Sequence, residues 1–134
     1  KKICEQYFKK GKINIYGNNY PSKDGTAIRD YIHVIDLAEA HFCAAKYLLK
    51  TKKSNIFNCG YGRGYSVKEV LDNFNEIYLN KIVYTYKKRR PGDVFKLIAD
   101  VKKIKRILKW KPKLDSIKKI LKSQVKWQKK INGK

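Results

Sequence analysis

This sequence is poor in cysteine, proline, alanine and acid. Its 134 residues hold three cysteines, three prolines, six alanines and 11 carboxylates, against 33 lysines and arginines. Cys4, Cys43 and Cys59 form no C-x-x-C pair and have no histidine cluster near them, which argues against a disulfide framework or a zinc site. Free thiols in a reducing cytosol, and so a cytoplasmic location, are the expectation. No stretch reaches the roughly 18 consecutive apolar residues that a membrane span needs, so no membrane partner is expected. The segment from Lys1 to Lys10 lacks the apolar run and small-residue cleavage site of a secretory signal. What is present, 43% hydrophobic and 13% aromatic residues, fits one modest globular domain.

The scarcity of acid leaves a formal charge of +22, which points first to a nucleic-acid partner. Two features weaken that reading. The excess is carried by lysine, with arginine only at positions 29, 63, 89, 90 and 106, although arginine is the better fork for bases and phosphates. Isoleucine, asparagine and tyrosine are abundant and alanine rare, as an AT-biased genome favours. Compositional bias is the preferred reading and a nucleic-acid partner is not expected.

Helix and strand signals alternate along the chain. Lys2 to Lys9 places Ile3, Tyr7 and Phe8 on one helical face, closed by Gly11. "INIY" (Ile13 to Tyr16) reads as a strand and "GNNYPSKDG" as a turn-rich loop. "YIHV" (Tyr31 to Val34) reads as a second strand, followed by a helix capped by Asp36 with Leu37, Ala40, His41, Ala44, Ala45 and Leu48 at helical spacing. "NIFNC" (Asn55 to Cys59) reads as a third strand. Ser66 and Glu69 form a capping box for a helix burying Val67, Val70, Leu71, Phe74 and Ile77. "IVYTY" (Ile82 to Tyr86) is a fourth strand and "VFKLIA" is extended. Asp100 suits a cap for a helix reaching Leu108. Asp115 starts a last helix with Ile117, Ile120, Leu121 and Trp127 inward and its lysines solvated. Short strands joined by helices indicate an α/β arrangement.

Two constellations attract attention. Gly60, Gly62 and Gly64 lie between a strand and a helix, but as G-x-G-x-G rather than G-x-G-x-x-G, with the capping box already on the helix N-terminus; a structural turn is the better reading. His33 and His41 have no nucleophile or carboxylate at catalytic or metal spacing and read as structural. Asp30 is a candidate ion-pair partner for its neighbour Arg29. "RRPGD" is more pointed. Pro91-Gly92 makes a tight turn, so Arg90 and Asp93 project from a defined loop. A guanidinium forks phosphate oxygens and a carboxylate accepts vicinal hydroxyls, the pair of groups a nucleoside diphosphate offers. Arg29, at a strand start, is a candidate second guanidinium. An ordinary surface turn is the competing reading.

"INIYGNNYPSKDGTAIRDYIHVIDLAEAH", "FNCGYGRGYSVKEV", "RRPGD" and "SQVKWQ" together resemble, in order and over essentially the whole chain, the C-terminal portion of the UDP-glucose 4-epimerases, a family of NAD-dependent extended short-chain dehydrogenases/reductases. The resemblance implies a small mixed α/β substrate domain, the C-terminal part of a Rossmann-type fold, over residues 1–134. It implies that Asn14, Ile15 and Tyr16 hold the uracil, that Arg29 and Arg90 clamp the diphosphate, and that Asp93, on the Pro91-Gly92 turn, binds the ribose. Where bacterial members often carry a tyrosine four residues beyond that aspartate, Leu97 stands here, and one nucleotide contact is missing.

In the family, NAD and a Ser/Tyr-x-x-x-Lys set belong to an N-terminal Rossmann half that interconverts UDP-galactose and UDP-glucose in galactose metabolism. Those elements are not found in these residues. Tyr84 and Lys88 have the tyrosine–lysine spacing, but on a strand rather than a helix. The expectation is therefore a C-terminal, truncated piece that is inactive alone, associates through an exposed apolar patch, and works with UDP-glucose or UDP-galactose. Alternatives are a non-catalytic UDP-sugar module, half of a split enzyme with a separately encoded N-terminal part, a homo-oligomer, and, from a different class, a basic nucleic-acid binder.

Overall fold

The computed structural model describes residues 1–9, 11–79 and 82–133. Helix α1 (Lys2–Phe8) leads into strand β1 (Ile13–Tyr16), which pairs in parallel with β4 (Tyr84–Lys87), Ile13 opposite Tyr84. A second sheet has β2 (Ile28–Arg29) at its centre, antiparallel to β3 (Tyr65–Ser66) and parallel to β5 (Lys96–Leu97). The remaining helices are α2 (Val34–Thr51), α3 (Val67–Tyr78), α4 (Lys102–Leu108) and α5 (Ile117–Ile131).

Alternation sets the first core. Ile13 and Ile15 point inward from β1 and meet Val70, Leu71 and Phe74 of α3, Ile117, Leu121 and Val125 of α5, and Cys4 of α1. The spacings i, i+3/i+4 and i+8 on α3 and α5 put these side chains on one face of each helix. The capping box forms: Ser66 Oγ accepts from the Glu69 N–H at 3.0 Å, and Glu69 Oε2 accepts from the Ser66 N–H at 2.7 Å. The lysines of α5 at 118, 119, 122, 126, 129 and 130 are exposed, as their spacing predicts. Trp127 is exposed too and Gln128 takes the inward position expected of it, because position 128 continues the Leu121–Val125 row.

A second core joins α2 to α4 through Ala40, Tyr61, Val101, Ile104 and the fully enclosed Trp110. Here the structure corrects several sequence expectations. Residues 31–33 form no strand and Val34 already belongs to α2, because His33 caps that helix, its Nδ1 accepting from the Ile35 N–H at 3.1 Å. Asp36 is not the cap but a buried carboxylate. Oδ1 accepts from the Lys113 N–H (3.0 Å), and Oδ2 from the Leu114 N–H (2.8 Å) and the Tyr61 hydroxyl (2.7 Å). Asn55 to Cys59 forms no strand, and Ile56 is 83% exposed. The "VFKLIA" stretch pairs only at Lys96–Leu97. Asp100 precedes the N-cap position, which is Val101, but still accepts from the Lys102 N–H at 3.0 Å. The cap before α5 is Ser116, leaving Asp115 to pair with Arg63 at 2.8 Å.

The face of α2 that carries Val34, Ile35, Phe42, Leu48 and Leu49 is exposed, and of its apolar residues only Ala40 is fully buried. An apolar patch of the expected kind is therefore present. Among the described residues no helix is long and apolar enough to cross a membrane, and no group of three or more His, Cys, Asp or Glu could hold a metal ion.

Candidate functional site: a basic pocket at the mouths of two sheets

Residues of β1, of β2 and of the loop that follows β4 meet around one concavity. Their side chains enclose a cavity of about 220 Å³ lined by Asn14, Ile15, Tyr16, Ala27, Arg29, Val67, Arg90 and Asp93. Six of the eight residues singled out by the sequence thus share one concavity. Pro91 and Gly92 do not line it; they form the turn, with Gly92 at φ +74° and the Asp93 N–H bonded to the Arg90 carbonyl at 3.2 Å. Positive φ favours glycine at this place.

The two arginines are held differently. Arg29 donates to Asp93 Oδ1 at 2.5 Å and to the carbonyls of Ile28 (2.8 Å) and Phe95 (3.4 Å). Its guanidinium is thereby fixed at the edge of β2, and the Arg29–Asp93 pair ties the turn to the sheet. Arg90 Cζ lies over the Tyr16 ring, 3.8 Å from its centroid, and the side chain donates no hydrogen bond to other described residues. Its fork is therefore free for an anion, while the cation–π contact holds the guanidinium against Tyr16 at the cavity wall. The Asn14 side chain accepts from the Thr85 hydroxyl at 2.8 Å, locking β1 to β4.

Asp30 does not pair with Arg29. It accepts from the N–H groups of Tyr61 (2.9 Å), Gly62 (2.9 Å) and Ala99 (3.3 Å). This explains the glycine-rich stretch as a turn. A Cβ on Gly60 would come 2.5 Å from the Asp30 carboxylate, and Gly62 has φ +77°. With that carboxylate against Gly60 and the α3 N-terminus filled by its own capping box, these residues do not fit an NAD cradle. His33 is buried in its capping role, and the exposed His41 has its Nδ1 2.8 Å from the Leu37 carbonyl.

Sequence reasoning missed Ala27 as a wall of the cavity and Asp24 as the fastener of the preceding loop. Asp24 Oδ1 accepts from the Thr26 N–H and hydroxyl (2.8 and 2.7 Å), and Oδ2 takes the Ser66 hydroxyl. Burial alone pushes the Asp24 carboxyl up, but the bonds from Ser66 and Thr26 and the charge of Lys68 outweigh it, and the net shift is downward. The Asp-Gly-Thr run is a turn signal, but nothing local marks Ser66, 42 residues away, as its partner.

A larger cavity of about 510 Å³ adjoins past Arg29, walled by Asp30, Phe57, Asn58, Cys59 and residues 97–100. Leu97 presents an exposed aliphatic side chain there, with no hydroxyl to offer. Burial, then the charges of Asp30 and Asp36, raise the Cys59 thiol above its ordinary range, which keeps it protonated and a poor nucleophile.

Comparison with known proteins gives a consistent family. A UDP-glucose 4-epimerase from Lactobacillus helveticus is 42% identical over 119 residues, 89% of this chain and 36% of that protein. The structure of the UDP-Glc/GlcNAc 4-epimerase of Campylobacter jejuni superposes with a TM-score of 0.85 at 42% identity, over 96% of this chain and 39% of that one. The UDP-glucose 4-epimerase of Bifidobacterium longum, solved in complex with NAD+ and UDP, superposes with a TM-score of 0.83 at 37% identity, over 96% and 37%. The chain spans about a third of the length of the curated relatives it matches, and the matched part is their C-terminal portion. The family model described as GDP-mannose 4,6 dehydratase matches residues 2–123, and the chain belongs to that family.

Proposed function

We propose that these residues form the UDP-sugar-binding portion of a UDP-glucose 4-epimerase, an isomerase that interconverts UDP-galactose and UDP-glucose. The observation that carries the reading is the convergence of Arg29, Arg90 and Asp93 on one cavity whose floor is the β1 segment Asn14–Tyr16. A diphosphate needs positive charge on two sides, a ribose needs a hydroxyl acceptor, and a uracil needs a flat slot beside open backbone. Arg90 supplies an open fork. Arg29 supplies the second guanidinium once its bond to Asp93 is exchanged for phosphate, which frees the Asp93 carboxylate for the ribose hydroxyls. The adjoining cavity beyond Arg29 is the volume left for the hexose.

The chemical step lies outside this pocket. Tyr84 and Lys88 do not form a catalytic pair: Tyr84 lies on β4 beside Thr85, which bonds Asn14, and Lys88 lies just past the strand end. NAD, the Ser/Tyr/Lys set and the surface that covers α2 and Asn55–Cys59 are assigned to an N-terminal half, encoded in the same chain or separately. The sugar accepted, whether glucose, N-acetylglucosamine or pentose, depends on that half as well. A nucleic-acid role has no comparable support, since the lysines of α5 form its solvated face.

Calorimetry with UDP tests the reading, alongside an assay with UDP-galactose and NAD. Saturable UDP binding without conversion to UDP-glucose is the expected result. Turnover by the 134 residues alone would overturn the division of labour, and no binding at millimolar UDP would overturn the pocket.

A further inference from the structure

The sequence places two arginines before the Pro-Gly turn, and the pocket uses only the second. Arg89 points the other way. Its guanidinium lies over the Tyr20 ring, 3.9 Å from the centroid, its Nε donates to Asn19 Oδ1 at 2.7 Å, and a terminal nitrogen donates to the Asn19 carbonyl. Tyr20 is 4% exposed, so Arg89 closes one side of a buried ring. Phe95 stacks on the same ring, at 6.4 Å between centroids with 22° between planes. Residues 89 and 95 therefore bracket the Arg90–Asp93 turn, and both rest on the same tyrosine.

Gly17 supports the same picture independently. It has φ +85°, and its N–H bonds the Lys87 carbonyl at 2.8 Å, continuing the β1–β4 ladder. A Cβ there would come 2.5 Å from the Tyr20 ring and 2.9 Å from Arg89 Cγ. The bare backbone at this point is what lets Arg89 cross to Asn19.

We propose that Arg89, clamped on Tyr20 and Asn19, is a positioning residue that fixes Arg90 and Asp93 for a nucleoside diphosphate. The nucleotide part rests on the reading of the pocket given above; the clamp itself does not. Arg89 and Arg90 follow closely on β4 and rest on different rings, Arg89 on Tyr20 and Arg90 on Tyr16. Anchoring Arg89 into the 17–25 loop therefore turns Arg90 toward Tyr16 and the cavity. A guanidinium is suited to the anchor because it stacks on an aromatic face while forking to a side-chain and a main-chain oxygen, which an ammonium cannot do. A bidentate fork binds two oxygens only when its plane is aimed at both, so a misaimed Arg90 loses that contact.

The test compares the 134-residue chain with Arg89→Ala, Arg89→Lys and Gly17→Ala. Affinities for UDP and UMP are measured by calorimetry and amide hydrogen exchange by NMR, all under conditions where circular dichroism shows the chain folded. The UDP-over-UMP preference should fall about tenfold in Arg89→Ala and Gly17→Ala and be partly restored in Arg89→Lys, because the second phosphate is what a misaimed Arg90 loses. Exchange at the Gly17 and Asp93 amides should accelerate about tenfold or more while α3 amides stay protected. A general loss of stability moves neither the UDP-to-UMP ratio nor exchange at those two sites alone. An unchanged ratio in Arg89→Ala would overturn its role in diphosphate recognition, and unchanged exchange would overturn the clamp. Failure of the unsubstituted chain to bind UDP would overturn the pocket reading and the nucleotide role with it; the exchange result decides the clamp regardless.

Discussion

Arg90→Ala is expected to weaken UDP binding about 100-fold, the equivalent of about 3 kcal/mol, which is what loss of a bidentate charge-assisted contact removes. The size follows from how the two arginines are held. Arg29 already donates to Asp93 and two carbonyls, so its turn toward phosphate replaces existing bonds and yields a modest net gain. Arg90 gives up no such bonds, since it rests on Tyr16, lines the cavity and donates no side-chain hydrogen bond to other described residues. Arg90→Lys keeps the charge but loses the fork and most of the stacking, and should recover no more than about a tenth of the wild-type affinity. Calorimetry at fixed salt distinguishes these, and a loss below about threefold in Arg90→Ala would mean that this guanidinium does not meet the nucleotide.

The largest effect on stability is expected at Asp36. Its carboxylate is 3% exposed and takes the Tyr61 hydroxyl and the Lys113 and Leu114 amides, while its own carbonyl accepts from Trp110 Nε1 at 3.2 Å. One aspartate thus fastens α2 to the segment leading into α5. Asp36→Asn puts an amide donor against donors, and leaving buried donors unsatisfied costs about 3 kcal/mol or more. For a domain of this size that lowers Tm by about 10 °C. Tyr61→Phe should be partly redundant with it, giving a combined loss smaller than the sum.

The same group gives a pH dependence. Burial pushes the Asp36 carboxyl up, but the bonds from Lys113, Tyr61 and Leu114, together with His33, outweigh it and hold its pKa below the ordinary carboxylate value. The unfolded chain then binds protons more tightly than the folded one, so this contribution is fully present above about pH 5, beyond the unfolded value of about 3.9. It is lost as pH falls through the folded value. Asp24, also shifted down, adds in the same direction. Denaturation midpoints should therefore drop below about pH 4 in the native chain, and the drop should be shallower in Asp36→Asn, which no longer has that group to titrate.

What could be read from the sequence was what is encoded within about four residues. The Ile13/Ile15 alternation, the Ser66/Glu69 box, the apolar row of α3 and the Pro91-Gly92 turn all use local spacing, and all are present. The two false strands share one cause. Tyr31 to Val34 and Asn55 to Cys59 have the aromatic and β-branched content of strands, but a strand needs a partner. The first stretch is drawn instead into a helix cap and the second finds no ladder among the described residues. The hubs were hidden for the opposite reason. Asp30 reaches across 32 residues to Gly62, Asp36 across 78 to Leu114, and Arg89 across 70 to Asn19, and none of these leaves a periodic trace. Side-chain chemistry made Arg29 a candidate companion for Arg90 and Asp93, with an ordinary surface turn as the competitor, and the resemblance to the epimerases assigned each its role; the two halves of the pocket lie some sixty residues apart, and geometry brings the three side chains to one cavity.

A structure of this chain with UDP addresses the central claim most directly. The account predicts diphosphate oxygens within hydrogen-bond distance of both Arg29 and Arg90, a ribose hydroxyl on Asp93 in place of the Arg29–Asp93 bond, and the uracil against Asn14–Tyr16. Nucleotide density elsewhere, for example along the lysines of α5, with the Arg29–Asp93 pair intact, would contradict it.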